Sequence, residues 1–226
     1  MPDGNGPLDT ASIGEQVTER LRSEIISGRL APGSRLMLDQ YKAQWNISIT
    51  PLRDAAKRLE ADGLVHIYPR RGIFVAEIDR NALMEVFQLR IALEPLVTEL
   101  ATPHAPEAEV EAMTEAYIAA GRPAPEAERQ ARLQEVDEVI HDFVLAHCPN
   151  QRLARIMATL RDSVAWCRNA VIEKVPNAFD PSLDEHVAIC KAMRARDAEG
   201  AAAAMRDHLI ATRDRTLKAM EAQERV

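Results

Sequence analysis

Ser48-Ile49-Thr50-Pro51-Leu52-Arg53-Asp54-Ala55-Ala56-Lys57-Arg58-Leu59-Glu60-Ala61-Asp62-Gly63-Leu64-Val65 is the stretch on which the fold turns. Ser48 suits a helix N-cap, and Pro51 suits an early helical position, where its missing N–H costs nothing. Leu52, Ala55, Ala56 and Leu59 recur at helical spacing and give the helix a stripe to bury. Asp62-Gly63 closes it. Upstream, Leu38 to Trp45 predicts a short helix and Pro32-Gly33 a turn. Ile13 to Ser27 predicts a longer helix, with Ile13, Val17, Leu21 and Ile25 on one face and Gly28 ending it. Downstream, Leu64–Tyr68 and Gly72–Val75 are rich in β-formers and are joined by Pro69-Arg70-Arg71, which predicts a hairpin.

Three helices and a hairpin, with a tight turn before the third helix, make the layout of a winged helix-turn-helix over residues 11–78. In that layout the start of the last helix enters the major groove of DNA. Ser48 and Thr50 supply hydroxyls that bond phosphate beside the free N–H groups of the helix start. Arg53, one turn in, reaches a base edge or a phosphate; a guanidinium on guanine O6 and N7 is the commonest specific contact. Arg71-Gly72, with Arg70 at the hairpin tip, forms a basic wing for flanking DNA. Arg58 reads as a solvent-facing charge.

The charge of the 226-residue chain, −7, argues at first against DNA, whose phosphates require Lys and Arg. The average conceals a division. Residues 1–78 are neutral, and 79–226 carry the whole excess of acid. A small neutral-to-basic module followed by a larger acidic one predicts two domains. Hydrophobic residues at 46% allow a sizeable core, and aromatics at only 4% beside abundant alanine favour helix. Residues 1–10, polar and rich in Gly and Pro, predict a disordered tail without a signal core. Cys148, Cys167 and Cys190 have no paired spacing, which suggests reduced thiols and a cytoplasmic protein. No apolar run approaches a membrane span.

The second region predicts an all-α antiparallel bundle, six helices near 79–101, 106–120, 126–148, 150–174, 182–196 and 198–223, with room for a seventh. The protein is therefore expected to be mainly α. Asp137 and His141 lie four apart, so one helix presents both on one face. His186, in Leu183-x-x-His186-x-x-x-Cys190, and His208, in Ala204-x-x-x-His208-x-x-Ala211, fall on apolar stripes. Each inward histidine is either a hydrogen-bonded core residue or, taken together with Asp137, part of a three-nitrogen, one-oxygen set for a divalent ion. That set suits Zn, Ni, Mn or Fe. His104 and His147 fall outside it. Arg90 either bonds the carboxylate of a ligand or pairs with Glu94 four residues on.

Gly28-Arg29-Leu30-Ala31-Pro32-Gly33-Ser34-Arg35-Leu36, the stretch from Ser48 to Val65, and Pro69-Arg70-Arg71-Gly72-Ile73-Phe74-Val75 together resemble the GntR family of bacterial transcription regulators. The resemblance implies a homodimer on a palindromic operator, with DNA contacts at Arg35, Ser48, Thr50, Arg53 and the wing at Arg71-Gly72. The family usually carries Arg between this Ser and Thr. Ile49 stands there instead and can pack on a thymine methyl but cannot bond guanine. Residues 85–210 look like the ligand-sensing FCD domain of the family's FadR branch. Arg90-x-x-x-Glu94, Asp137-x-x-x-His141, Pro149-Asn150, Glu185-His186, Asp197 and His208 come in the expected order. That resemblance implies a metal on Asp137, His141, His186 and His208, a small carboxylate or hydroxy-acid effector beside it, and most often repression relieved by the effector.

Two other readings compete. His141-Asp142 is similar to the motif of metal phosphohydrolases, although the further His and Asp motifs of such enzymes are missing. The metal could also be purely structural, in a constitutive DNA binder.

Overall fold

A computed structural model of the chain describes residues 13–77, 79–174 and 180–223. The tail expected over residues 1–10 lies outside them, as does most of the break expected at 175–181. The chain divides into two compact units, Met1–Ile78 and Asp79–Val226.

The first unit contains α1 (Ile13–Ile26), β1 (Arg35–Leu36), α2 (Leu38–Trp45), α3 (Ile49–Ala61), β2 (Val65–Tyr68) and β3 (Gly72–Val75). Val17, Leu21 and Ile25 of α1 pack on the buried stripe Leu52, Ala55, Ala56 and Leu59 of α3. Burying a leucine such as Leu21 or Leu52 contributes about 1.5–3 kcal/mol. Arg22 reaches from α1 to the end of α3, its Nη2 donating to Asp62 Oδ2 at 2.7 Å. There Gly63 takes φ of 74°, and the N–H groups of Gly63 and Leu64 bond back to Glu60 O and Leu59 O. This left-handed close of the helix favours glycine.

The sheet has three strands, not the two of a simple hairpin: β1 joins the free side of β3, giving the order β1-β3-β2, all antiparallel. Two residues, Arg35 and Leu36, are too few for a period-two signal, so β1 is set by tertiary contact. Phe74 pairs with Arg35 on one side and His66 on the other.

The second unit consists of α4 (Arg80–Ala101), a 3-10 turn at Thr102–His104, α5 (Glu107–Ala120), α6 (Glu126–Asp137), α7 (Val139–Ala146), α8 (Gln151–Lys174), α9 (Asp180–Arg194) and α10 (Ala198–Gln223). α10 packs along α4 and α9, and α5 along α9. Val97, Ala101, Tyr117, Ile140, Ile189, Met193, Met205 and Leu209 lie in the shared core.

The single helix expected over 126–148 is two helices, broken at Glu138. In an unbroken helix the Ile140 N–H would serve Val136 O. Here it donates to the hydroxyl of Tyr117 at 3.0 Å. A buried partner on α5 thus sets the start of α7, and no local glycine or proline announces it. Asp137 and His141 consequently stand on either side of a break rather than on one continuous face.

The turn between α9 and α10 is held by Arg196, which has φ of 57°. Its N–H and that of Asp197 bond back to Met193 O and Ala192 O. Its Nη1 donates to Thr102 O at 2.9 Å and Ala105 O at 2.7 Å, tying this turn to the end of α4. Asp197 then caps α10, with Oδ1 accepting from Gly200 N–H at 2.9 Å.

Candidate DNA interface and metal centre

The start of α3 is open. Ser48 has N-cap backbone angles, yet its side chain makes no cap bond. The third helical position, whose N–H an N-cap hydroxyl commonly takes, is Pro51, which has none. The Ser48 hydroxyl and the first N–H groups of α3 therefore remain available to an anion. Thr50, Arg53 and Lys57 are exposed, on the side away from the buried stripe. Arg53 makes no ion pair among the described residues. Lys57 stands 4.0 Å from Asp54, with both side chains more than half exposed, a pair that contributes little. Ile49 is half-buried.

The wing turn runs Tyr68-Pro69-Arg70-Arg71, closed by Arg71 N–H to Tyr68 O at 3.1 Å. Arg70 has φ of 64°, in the position of this turn that glycine or asparagine usually fills. The Arg71 guanidinium lies over the Tyr68 ring, 5.6 Å from its centre. Gly72 has φ of 115°, and a Cβ there would come within 2.8 Å of Arg35 Nε. The structure thus brings Arg35 of β1 against Gly72 of the wing, although they are 37 positions apart in the sequence.

In the second unit three histidines from three helices converge: His141 of α7, His186 of α9 and His208 of α10. Their ligand atoms all lie within 4.8 Å of one another. His186 Nε2 is 3.3 Å from His208 Nε2. Asp137, at the end of α6, is not part of this three-residue cluster. His147 lies elsewhere, its Nδ1 on Phe143 O, and His104 is exposed in the 3-10 turn.

Behind the cluster stand two carboxylates. Glu94 Oε2 is 2.6 Å from His141 Nδ1, and Glu185 Oε2 is 2.8 Å from His208 Nδ1. Each carboxylate is held in turn by an arginine. Arg90 Nε donates to Glu94 Oε1 at 2.6 Å. Arg215 donates to both oxygens of Glu185, at 2.6 and 3.0 Å. Burial raises the pKa of Glu94, but the Arg90 and His141 charges overcome this and hold it well below the usual carboxylate range. Burial, then the neighbouring His208 and His141, drives His186 well below the ordinary histidine value. Burial lowers His208 too, partly offset by Glu185. These shifts favour neutral rings, the form that binds metal.

Arg90 therefore pairs with Glu94, but in the interior and not on the surface, with its guanidinium also over the Phe87 ring. Glu94, Glu185, Arg215 and Tyr117 were not expected to support the cluster. Glu94 and Glu185 stand in sequence beside residues that were, but their histidine partners lie on other helices, so spacing alone gives no signal.

A winged helix-turn-helix carrying exposed basic groups, joined to an all-helical sensor-like bundle with a buried histidine cluster, defines a DNA-binding regulator. Residues 13–75 match the bacterial regulatory proteins of the gntR family, and residues 85–211 match the FCD domain. The chain belongs to the GntR family of transcription regulators and carries an FCD domain. It is 26% identical over 199 residues to the HTH-type transcriptional repressor GlaR of Escherichia coli K12, covering 84% of this chain and 89% of that protein. The fold is that of a GntR regulator from Rhodococcus sp. RHA1 (TM-score 0.69, 22% identity, 92% of this chain and 99% of the other). It is likewise that of E. coli McbR/YncC (TM-score 0.67, 21% identity, 95% and 100%). These relatives are named as regulators, and the chain is a regulator and not a hydrolase. No described helix is long and apolar enough to cross a membrane.

Proposed function

We propose that this is a cytoplasmic, homodimeric repressor whose affinity for a palindromic operator is controlled by a small carboxylate or hydroxy acid bound near a divalent metal. The observation that carries the reading is the convergence of His141, His186 and His208 with two of the rings backed by carboxylates. The donor set fits a metal: the Nδ1 atoms of His141 and His208 are engaged by carboxylates, which turns their Nε2 atoms toward the middle of the cluster, where His186 Nε2 also lies. His141, His186 and His208 hold the ion, with Asp137 as the candidate fourth ligand. Zn, Ni, Mn and Fe all suit nitrogen-rich sets of this kind. When bound, the ion supplies a Lewis-acidic point for an acid's oxygen. Arg90, fixed by Nε on Glu94, is the candidate partner for the effector's carboxylate.

On the DNA side, Ser48, Thr50, Arg53, Arg35, Arg71 and Gly72 form the contact set. For self-association, α4 offers Leu89 and Leu96, 46% and 42% exposed, in register with the half-buried Leu93 and Leu100. This 4-3-4 leucine spacing is that of a helix-pairing seam.

The test has three parts on the purified protein: metal analysis, thermal shift against a panel of small carboxylates with and without chelator, and operator titration with any acid that shifts the melt. The reading predicts bound metal, a melt shift that chelator removes, and a change in operator affinity corresponding to a coupling of about 1–3 kcal/mol. Metal without any acid response favours the structural-metal alternative.

A further inference from the structure

We propose that Glu94 and Glu185 are positioning residues of the histidine cluster, fixing His141 and His208 as Nδ1–H tautomers so that both Nε2 lone pairs face one ion. The inference deepens the metal reading above and rests on it. A carboxylate held by an arginine only accepts hydrogen bonds, so at 2.6 and 2.8 Å the histidine Nδ1 must be the donor. In a neutral ring the proton on Nδ1 leaves Nε2 as the acceptor and ligand atom. The two rings are therefore aimed before any ion arrives.

The two devices are built alike on different helices. Arg90 and Glu94 of α4 act on His141 of α7. Arg215 of α10 acts on Glu185 of α9, which returns to His208 of α10. Arg215 is further fixed by Ser182 Oγ at 3.2 Å and Thr212 Oγ1 at 2.9 Å. α4, which supplies no histidine, thereby becomes part of the site. His186 is fixed differently: it is 1% exposed and packs its ring 4.9 Å from that of Tyr117.

Outer partners of ligating histidines typically govern about 10–100-fold in metal affinity. The test uses the full chain with Zn2+, Ni2+ and Mn2+ each as probe, in competition with a chromophoric chelator. Glu185→Gln, whose site is half-buried, and Glu94→Gln are compared with Glu109→Gln, a control at an exposed glutamate outside the cluster. Gln removes the charge and turns one acceptor oxygen into a donor: at 94 Arg90 and His141, which use separate oxygens, cannot both be served, and at 185 the Arg215 Nη1 bond is lost and the bond to His208 Nδ1 loses its charged acceptor. Affinity is expected to fall about 10–100-fold in the first two and to stay unchanged in the control. Imidazole nitrogen shifts of 15N-histidine-labelled, metal-free protein read the tautomer directly. Wild type is expected to show Nδ1–H at His141 and His208, and Glu185→Gln to lower the Nδ1–H population at His208 alone, with His141 unchanged. Should Glu94→Gln fail to fold, Glu185→Gln carries the test. Wild-type affinity in the folded Glu variants, or an Nε2–H tautomer at His208 in wild type, overturns the inference alone. A wild-type protein that takes up none of the three ions overturns the metal reading and the inference with it.

Discussion

Replacing Arg53 by alanine separates recognition from folding. The side chain is exposed on α3, makes no ion pair among the described residues, and lies away from the stripe Leu52, Ala55, Ala56 and Leu59 that packs on α1. Its removal leaves no cavity and no orphaned partner, so the stability change is expected within about 0.5 kcal/mol. A well-placed arginine on a base edge carries about 1–3 kcal/mol of discrimination. The proposed dimer on a palindrome would use the residue twice, which makes about 2–6 kcal/mol per complex, or roughly 30-fold to 20,000-fold in affinity. The operator is first obtained by selecting from random DNA with the wild-type protein. Anisotropy titrations of both proteins on that operator, and on scrambled DNA at several salt concentrations, then give affinity, specificity and salt slope. Arg53→Ala should bind the operator little better than scrambled DNA while melting as wild type does. Operator affinity within threefold of wild type, in a protein with an unchanged melt, would refute the assignment of Arg53 to base recognition.

Four further outcomes follow from the geometry. Tyr117→Phe leaves the buried Ile140 N–H without a partner, which should cost about 1–3 kcal/mol, read as a lower melting temperature and faster amide exchange at the start of α7. Arg196→Ala and Arg196→Gly both lose the bonds to Thr102 O and Ala105 O, but only glycine takes the positive φ without strain, so Arg196→Ala should be the less stable of the two by about 1 kcal/mol in a denaturant titration. Arg70→Gly should stabilise the isolated winged unit by up to about 1 kcal/mol through relief of positive φ. The same change should lower the slope of log affinity against log salt by about one phosphate contact if Arg70 touches the backbone of DNA.

The part of the fold that local chemistry dictates is readable in the sequence. The α3 stripe, the Gly63 close and the hairpin all follow from spacing and turn residues within a few positions of one another. What is not readable is set by distant partners. β1 exists because Phe74 offers an edge to Arg35, and α7 begins where it does because Tyr117 captures one N–H. The site divides in the same way. Apolar stripes around His186 and His208 announce that they face inward, but that Glu94 meets His141 depends on how α4 lies beside α7. The expectation of one face for Asp137 and His141 assumed an unbroken helix, which the Tyr117 hydroxyl interrupts.

Pro51 has a consequence for how the protein couples to its operator. Because Ser48 makes no side-chain cap bond, a phosphate bound at the Ser48 hydroxyl and the first amides of α3, as the proposed DNA contacts require, would act as the missing cap. Restoring an N–H, as in Pro51→Ala, would let Ser48 satisfy the helix by itself: the free protein would grow more stable while the bound state gained nothing, and the operator would be held less tightly for it.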